Sequence, residues 1–442
     1  MAILGLHVGV SFAEFSLLDA NTHKPLAYQR TYMPRQPLKS ALQKFVQKHI
    51  ETKIQKIFMV SSHLEKMAPF RLGGSTAHLI TEGWENLGWL SQSQCQGLQP
   101  MRSPAVQSQE LVFGIKERVS AEGQILEAMD VNLISAIAAK MKLMDVKRVC
   151  VHFLHSQKNP AHLEQAKIIL NENGFEVHHA AYDTDFDLEK SRRLSLSAAL
   201  NGTWLDFQQD LITAAKSDEH QPEIFVLGQK GFMPLETMKD AVDGLASLDY
   251  LFNLLPFQNI VFLGFENFQQ IFPKRHELFW NSPWGRVYRP HCAKNVFSTQ
   301  PTQSLQLNFW NELDLSPSPE GFEPGPVALG RGQKLTVFDL FFDELIQHPE
   351  LSDWLAPAAG SKIRSGLSAL SKNSRNHIGE LALQTQLREQ FIQRLNLEID
   401  FTDGPVHAIG FWSDLVGTRL PLERHPRSVA ETAARLGLGL NV

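Results

Sequence analysis

The sequence predicts an α/β fold of strand and helix layers, with a partly parallel sheet and a core that occurs twice. Three observations carry this. Apolar runs of strand length alternate with segments whose apolar residues recur every three or four positions. A glycine or asparagine stop separates most of them. A strand-glycine-strand pattern occurs twice, at residues 5–9 and around Gly264, which predicts a duplicated unit.

The chain opens with Ile3-Leu-Gly-Leu-His-Val-Gly-Val-Ser-Phe-Ala-Glu-Phe-Ser-Leu-Leu-Asp19. This reads as a strand, a glycine turn at Gly9, and a second strand. Residues 38–56 hold Leu38, Leu42, Phe45, Val46, His49, Ile50 and Ile54 at helical spacing. Residues 56–61 are a short apolar strand, 61–66 a polar loop or helix start, and 76–81 a strand into the Gly83 turn. A short helix is expected at 84–90, a loop at 102–106, a polar strand-turn at 117–123, a helix at 130–143 and a buried strand at 148–154. Asn159 and Pro160 look like an N-cap followed by proline at the first helical position, and Gly174 closes that helix. Residues 175–180 are the next strand, and 188–216 a long helix suited to bridging domains. Strands follow at 223–227 and 259–263. Periodicity says little between 280 and 323. Helical patterns then occupy 335–345, 359–396 (two segments) and 426–436, with a strand at 406–411.

With 442 residues the chain has room for two or three domains. A net charge of −5 gives no basic surface for nucleic acid. Cys95, Cys150 and Cys292 have no paired spacing, which argues against a disulfide framework or a cysteine-rich zinc site. No basic stretch followed by an apolar run opens the chain, and the apolar stretch at 251–265 is too short and polar to span a bilayer. A cytoplasmic protein without membrane attachment is expected.

Several residues have two readings. Gly9 and Ser11 could offer N–H groups and a hydroxyl to a phosphate, or simply turn a hairpin. His152, His155 and His162 could ligate a metal, or shape a loop and cap a helix. His63, Glu65 and Lys66 could do acid/base work, or be a solvated loop. Asp339 could cap a helix or belong to a metal site. Arg331, between two glycines, could bind an anion or face solvent. Phe279, Trp280, Trp284 and Tyr288 read as core or interface. No Ser-His-Asp or Cys-His arrangement can be assembled from sequence alone.

Six stretches in order resemble the hydantoinase A/5-oxoprolinase family, within the actin/hexokinase/acetate-kinase superfold. The opening stretch is similar to its Asp-x-Gly-Gly-Thr-x-x-Asp phosphate loop. Residues 71–87 (RLGGSTAHLITEGWENL), 111–126 (LVFGIKERVSAEGQIL) and 149–166 (VCVHFLHSQKNPAHLEQA) look like three further family blocks. Residues 193–201 fall where the family has an Arg/Thr-rich helix leading to an Asn. Residues 323–345 (EPGPVALGRGQKLTVFDLFFDEL) resemble its Gly-Arg-Gly block. The resemblance implies two ribonuclease-H-like halves around a cleft, as in actin-like ATPases, with an inserted α/β subdomain. It divides the chain into a hydantoinase A/oxoprolinase N-terminal-like domain over 1–190 and a hydantoinase A-like second domain over 191–442.

The resemblance also implies ATP-dependent hydrolysis of a cyclic amide of the hydantoin or 5-oxoproline type. ATP would contact Gly9, Ser11, Gly264, Gly330, Arg331 and Gly332. Magnesium would be held by Glu14 and Asp339, since a hard cation takes oxygen ligands. A second, hydantoinase B-like subunit or a homo-oligomer is the implied partner. The chain is short for the family, whose members usually carry a further C-terminal domain.

The departures point elsewhere. The first family aspartate is His7, the second loop glycine Val10, the threonine Ser11 and the last aspartate Glu14. In the second loop the aspartate is Phe262, the glycine Phe265, the threonine Glu266 and the closing aspartate Gln269. Glu266 would oppose a phosphate at a cost of about 1–4 kcal/mol. No glycine occurs between Gly285 and Gly321. These changes predict degenerate phosphate loops, and alongside the hydrolase they raise a non-catalytic relative that binds a small molecule or partner protein.

Overall fold

The computed structural model describes residues 1–61, 76–86, 109–179, 188–216, 221–316 and 326–440, less 10, 229, 239, 240, 242, 243, 245, 246, 266, 267, 274–278, 283, 284, 289–291, 302, 309–311, 333, 348–352, 375–377 and 403. Val10, His63, Glu65, Lys66, Gly73, Gly74, Trp284, Glu266, the loop at 102–106 and most of the expected helix at 84–90 lie outside the described residues. So do the side chains of Phe279, Trp280 and Tyr288.

The first half starts with the antiparallel hairpin of β1 (Ala2–Val8) and β2 (Phe12–Asp19). Gly9 makes the turn: its N–H donates to the carbonyl of Phe12 at 2.9 Å, and a side chain here would sit 2.8 Å from that oxygen. β3 (Pro25–Tyr32) extends the sheet antiparallel to β2. α1 (Leu38–Lys48) buries Ala41, Leu42, Phe45 and Val46 along one face. It stops short of the expected residue 56 because β4 (Ile54–Ser61) takes those residues into the sheet, parallel to β1.

An inserted subdomain follows. β5 (Thr76–Thr81), β6 (Val112–Ile115), the short pair β7 (Arg118–Val119) and β8 (Ile125–Glu127), α2 (Val131–Leu143), β9 (Arg148–His152), α3 (Ala161–Glu172) and β10 (Glu176–His179) run in that order. Its four-stranded sheet has the order β10-β9-β5-β6 and is parallel throughout. Asp130 caps α2 by accepting the N–H groups of Asn132 and Leu133. Asn159 accepts the N–H of Ala161 at 3.1 Å, and α3 begins one residue later than expected. Gly174, at φ 84°, ends it.

α4 (Leu188–Ala215) bridges the insert and the first sheet: it packs on β9 and also buries Leu200, Trp204 and Leu211 in the first core. β11 (Glu223–Gly228) and β12 (Gly231–Pro234) complete a sheet of order β12-β11-β4-β1-β2-β3. Strand pairing therefore carries the first half past residue 190.

After α5 (Ser247–Leu254), the pattern repeats. β13 (Ile260–Leu263) and β14 (Phe268–Pro273) form a hairpin, with the small hairpin of β15 (Phe279–Ser282) and β16 (Gly285–Tyr288) beyond it. β17 (Cys292–Val296) pairs antiparallel with β14. Another small hairpin, β18 (Ser304–Leu307) with β19 (Leu313–Ser316), leads to α6 (Val337–Leu340), α7 (Phe342–Gln347), α8 (Ala359–Asn373) and α9 (Glu380–Glu398). β20 (His407–Ile409) then pairs parallel with β13; α10 (Ser413–Val416), β21 (Glu423–Arg424) and α11 (Val429–Gly437) close the chain.

The second sheet, β17-β14-β13-β20-β21, has the same order and strand directions as β3-β2-β1-β4-β11. The fold is two ribonuclease-H-like halves. Even the hairpin registers correspond: His7 faces Glu14 in the first, and Phe262 faces Gln269 in the second.

Candidate functional site between the two hairpins

The row His7–Glu14–Arg30 crosses β1, β2 and β3 as direct neighbours, so all three side chains emerge on one face. Glu14 Oε1 accepts from Arg30 Nε at 2.9 Å and Nη2 at 2.7 Å, and from the Tyr28 hydroxyl at 3.3 Å. Its other oxygen lies 3.3 Å from His7 Nδ1. Burial alone would raise the Glu14 pKa; the Arg30 charge and the hydrogen bonds of His7 and Arg30 override it and hold the group at about 2. Arg30 is buried with it and also lies over the Phe411 ring, 4.8 Å from its centroid.

Aromatic rings occupy the space between the hairpin tips. Phe12, just after the first turn, meets Phe265, just after the second strand-end glycine Gly264, at 4.5 Å between centroids. Phe265 also packs edge-on against Phe338 and Phe411, both at 5.1 Å. Phe411 follows Gly410, whose φ of 119° and close approach to the Leu263 carbonyl exclude a side chain. The cavity left among His7, Gly9, Glu14, Phe262, Gly264 and Gly410 measures about 30 Å³, enough for one or two waters. His7 Nε2 lines this wall without a hydrogen-bond partner among the described residues.

The remaining sequence candidates fall into separate networks. Ser11 is buried and its carbonyl accepts from Met33 N–H at 2.8 Å. Asp339 is the third residue of a capping box with Thr336 at the head of α6. Its carboxylate accepts from the N–H groups of Val327, Ala328 and Thr336 (3.2, 2.7 and 2.7 Å) and from the Thr336 hydroxyl at 3.0 Å. Burial pushes its pKa up to about 6, against the pull of those bonds. Gly330 and Gly332, at φ 75° and 73°, bend the chain on either side of Arg331, whose N–H donates to Pro326. Arg35 reaches over from the first half to the Leu329 and Leu355 carbonyls, both at 3.4 Å. Glu14 and Asp339 thus share no hydrogen-bond partner among the described residues. Rings thus stand at both turns, where the resemblance places phosphate.

Three of the blocks quoted above meet in the insert. Thr81 donates to Glu117 Oε1 in a short contact, Leu154 N–H donates to Thr81 Oγ1 at 3.0 Å, and His162 Nδ1 lies 2.8 Å from Glu117 Oε2. All three side chains are buried. His162 therefore ties the head of α3 to β5 and the segment after β6, while His155 takes a turn at φ 56°. His152 belongs to a different group, with His78.

Residues 20–174 match the hydantoinase/oxoprolinase N-terminal region. The match covers about a third of the chain and lies in its first half. Two solved structures share the fold of this chain almost end to end. Nucleotide-free acetone carboxylase, from work on ATP-dependent acetone carboxylation, superposes with a TM-score of 0.70 at 12% identity, covering 98% of this chain and 70% of its own. The ATP-dependent caprolactamase of Pseudomonas jessenii gives 0.67 at 16% identity, with the same coverages. No curated protein sequence matches closely enough to count as a relative. The family resemblance and the two-half fold expected from sequence are borne out. No helix among the described residues is long and apolar enough to cross a membrane.

Sequence reading missed Arg30, Tyr28, Phe411 and Glu117. Arg30 had a signal: an acid and a base sixteen residues apart, either side of the turn at Asp19, fit a cross-strand pair once residues 25–32 are taken as a strand.

Proposed function

We propose that this hydantoinase/oxoprolinase-type protein does not carry out ATP-dependent ring opening in its cleft and instead binds a small anionic molecule. The Phe12–Phe265 contact carries this reading. A triphosphate site needs small residues, free N–H donors and oxygen ligands for magnesium. Here rings take the space at both turns, and Arg30 neutralises Glu14, the carboxylate facing it among the described residues.

The molecule would bind in the groove of about 590 Å³ between β3 and α1, lined by Tyr28, Tyr32, Arg35, Lys44, Lys48 and Trp354. Its three exposed cations outnumber its single acid, Asp353, and its aromatic walls suit a planar or apolar body. The second reading, retained cyclic-amide hydrolysis driven by ATP, is favoured by Gly330, Arg331 and Gly332 and by the ATP-dependent activities in the names of both structural neighbours.

Thermal shift and phosphate release with Mg-ATP, in the presence of hydantoin or 5-oxoproline, separate the two. Expected is no phosphate release, together with saturable stabilisation by small carboxylates or phosphates that disappears in a Lys44→Glu/Lys48→Glu variant. A ligand at a hundred times its Kd stabilises by about 2.7 kcal/mol, which is easily read. Phosphate release above background, or Mg-ATP stabilisation that survives the double substitution, overturns the proposal.

A further inference from the structure

We propose that His78, Cys150 and His152 form a buried zinc-binding site beneath α4. The three stand on neighbouring parallel strands: His78 on β5 is the register partner of Cys150 on β9, and His152 follows two residues on, so all three project from one face. One ligand atom from each lies within 4.8 Å of the others, and all three residues are buried.

The donor set is that of a borderline-soft ion: two imidazole nitrogens and a sulfur. His78 Nδ1 and His152 Nε2 are 3.2 Å apart. Two nitrogens on a tetrahedral zinc, each bonded at 2.0–2.1 Å, are about 3.3 Å apart, so this pair is already at ligating distance. The sulfur, needing about 3.6 Å to each nitrogen, lies within 4.8 Å and so has at most about 1.2 Å to close. The Ser195 hydroxyl of α4 stands 3.5 Å from the same His152 nitrogen and supplies oxygen for a fourth position.

The next row on the same face ties α4 to the sheet beside the three ligands. Glu176 pairs with Arg148 at 3.2 Å and accepts from Asn201 of α4 at 2.5 Å. The site would pin β5 and β9 under α4, the helix that joins the insert to the first sheet. All three ligands are buried, so the ion enters as the chain folds.

The test uses the full chain expressed in zinc-supplemented medium and, separately, with cobalt replacing zinc. Metal is counted per chain by mass spectrometry. Expected are about one zinc per chain and, in the cobalt form, a near-ultraviolet thiolate-to-cobalt band. Cys150→Ser should lose that band and at least about fivefold of the metal; His152→Gln should lose metal likewise, while His49→Gln keeps it. Circular dichroism checks that each variant is folded. Wild-type protein with less than about a tenth of an equivalent of metal overturns the proposal even if every variant misfolds. A folded Cys150→Ser protein that keeps both metal and band overturns it equally.

Discussion

At Glu14 two opposing effects act on one carboxyl. Removing it from water disfavours its charge, and the guanidinium of Arg30, bonded through two nitrogens to one oxygen, favours it more strongly. The folded pKa of about 2 lies below the ordinary 4.5, so the group stabilises the fold fully above pH 4.5 and loses that contribution as pH falls towards 2. The depression corresponds to about 3 kcal/mol. Urea unfolding between pH 2 and 6 should show this fall in the wild type, and a Glu14→Gln protein should lack most of it. The variant should also be about 3–5 kcal/mol less stable at pH 7, because Arg30 is left buried without its counter-charge. An unchanged pH profile in Glu14→Gln would remove this account of the row.

Among the elements, α11 lies close against both β1 and β4. A methyl group on Gly5 would sit 1.9 Å from the carbonyl oxygen of Ala430, and one on Gly437 would sit 2.2 Å from the Phe58 ring. Gly5→Ala must therefore push α11 off the sheet, at a cost of at least about 2 kcal/mol, read as a lower urea midpoint with an unchanged slope. A midpoint equal to wild type would show that the helix yields freely. This pairing also shows what sequence makes legible. Residues 3–8 are mostly apolar and Gly9 marks the reversal, so the first hairpin is visible, and so is the apolar face of α11. β3 is not, because Pro25, Gln29 and Arg30 read as loop until their partners on β2 are known. β14 is hidden similarly: Gln269 and Gln270 are buried, and Gln270 is satisfied from a distance, donating to Asn259 and the Asp400 carbonyl and accepting the Asp400 N–H. The altered loop positions Phe265 and Glu14 were legible as departures from a motif. What they do instead was not, since Phe12, Phe338, Phe411 and Arg30 come from four other segments. The His78–Cys150–His152 group depends on strand register in the same way.

At the scale of the whole molecule, apolar packing ignores the boundary between the halves. Phe12 and Tyr32, from the first sheet, belong to the core of the second half with Leu263, Phe338 and Phe411. A second cluster joins Val60 and Leu227 of the first sheet to Ile260, Phe262 and Ile409 of the second, with Val429 and Ala433 of α11 between them. The insert differs: Ala77, Leu79, Ile134, Val149, Val151 and Leu163 form a core containing no residue from either of the two sheets. Cooperative unfolding follows shared burial, because neither half can open without exposing the apolar surface of the other. Hydrogen exchange followed by mass spectrometry across a urea series should give peptides from β1 and β13 one common midpoint, with β5 and β9 opening at or below it. Resolved midpoints for β1 and β13 would mean that the aromatic contacts in the cleft break first. The cleft would then be a seam that opens in the native protein, with room between the hairpins for a ligand after all.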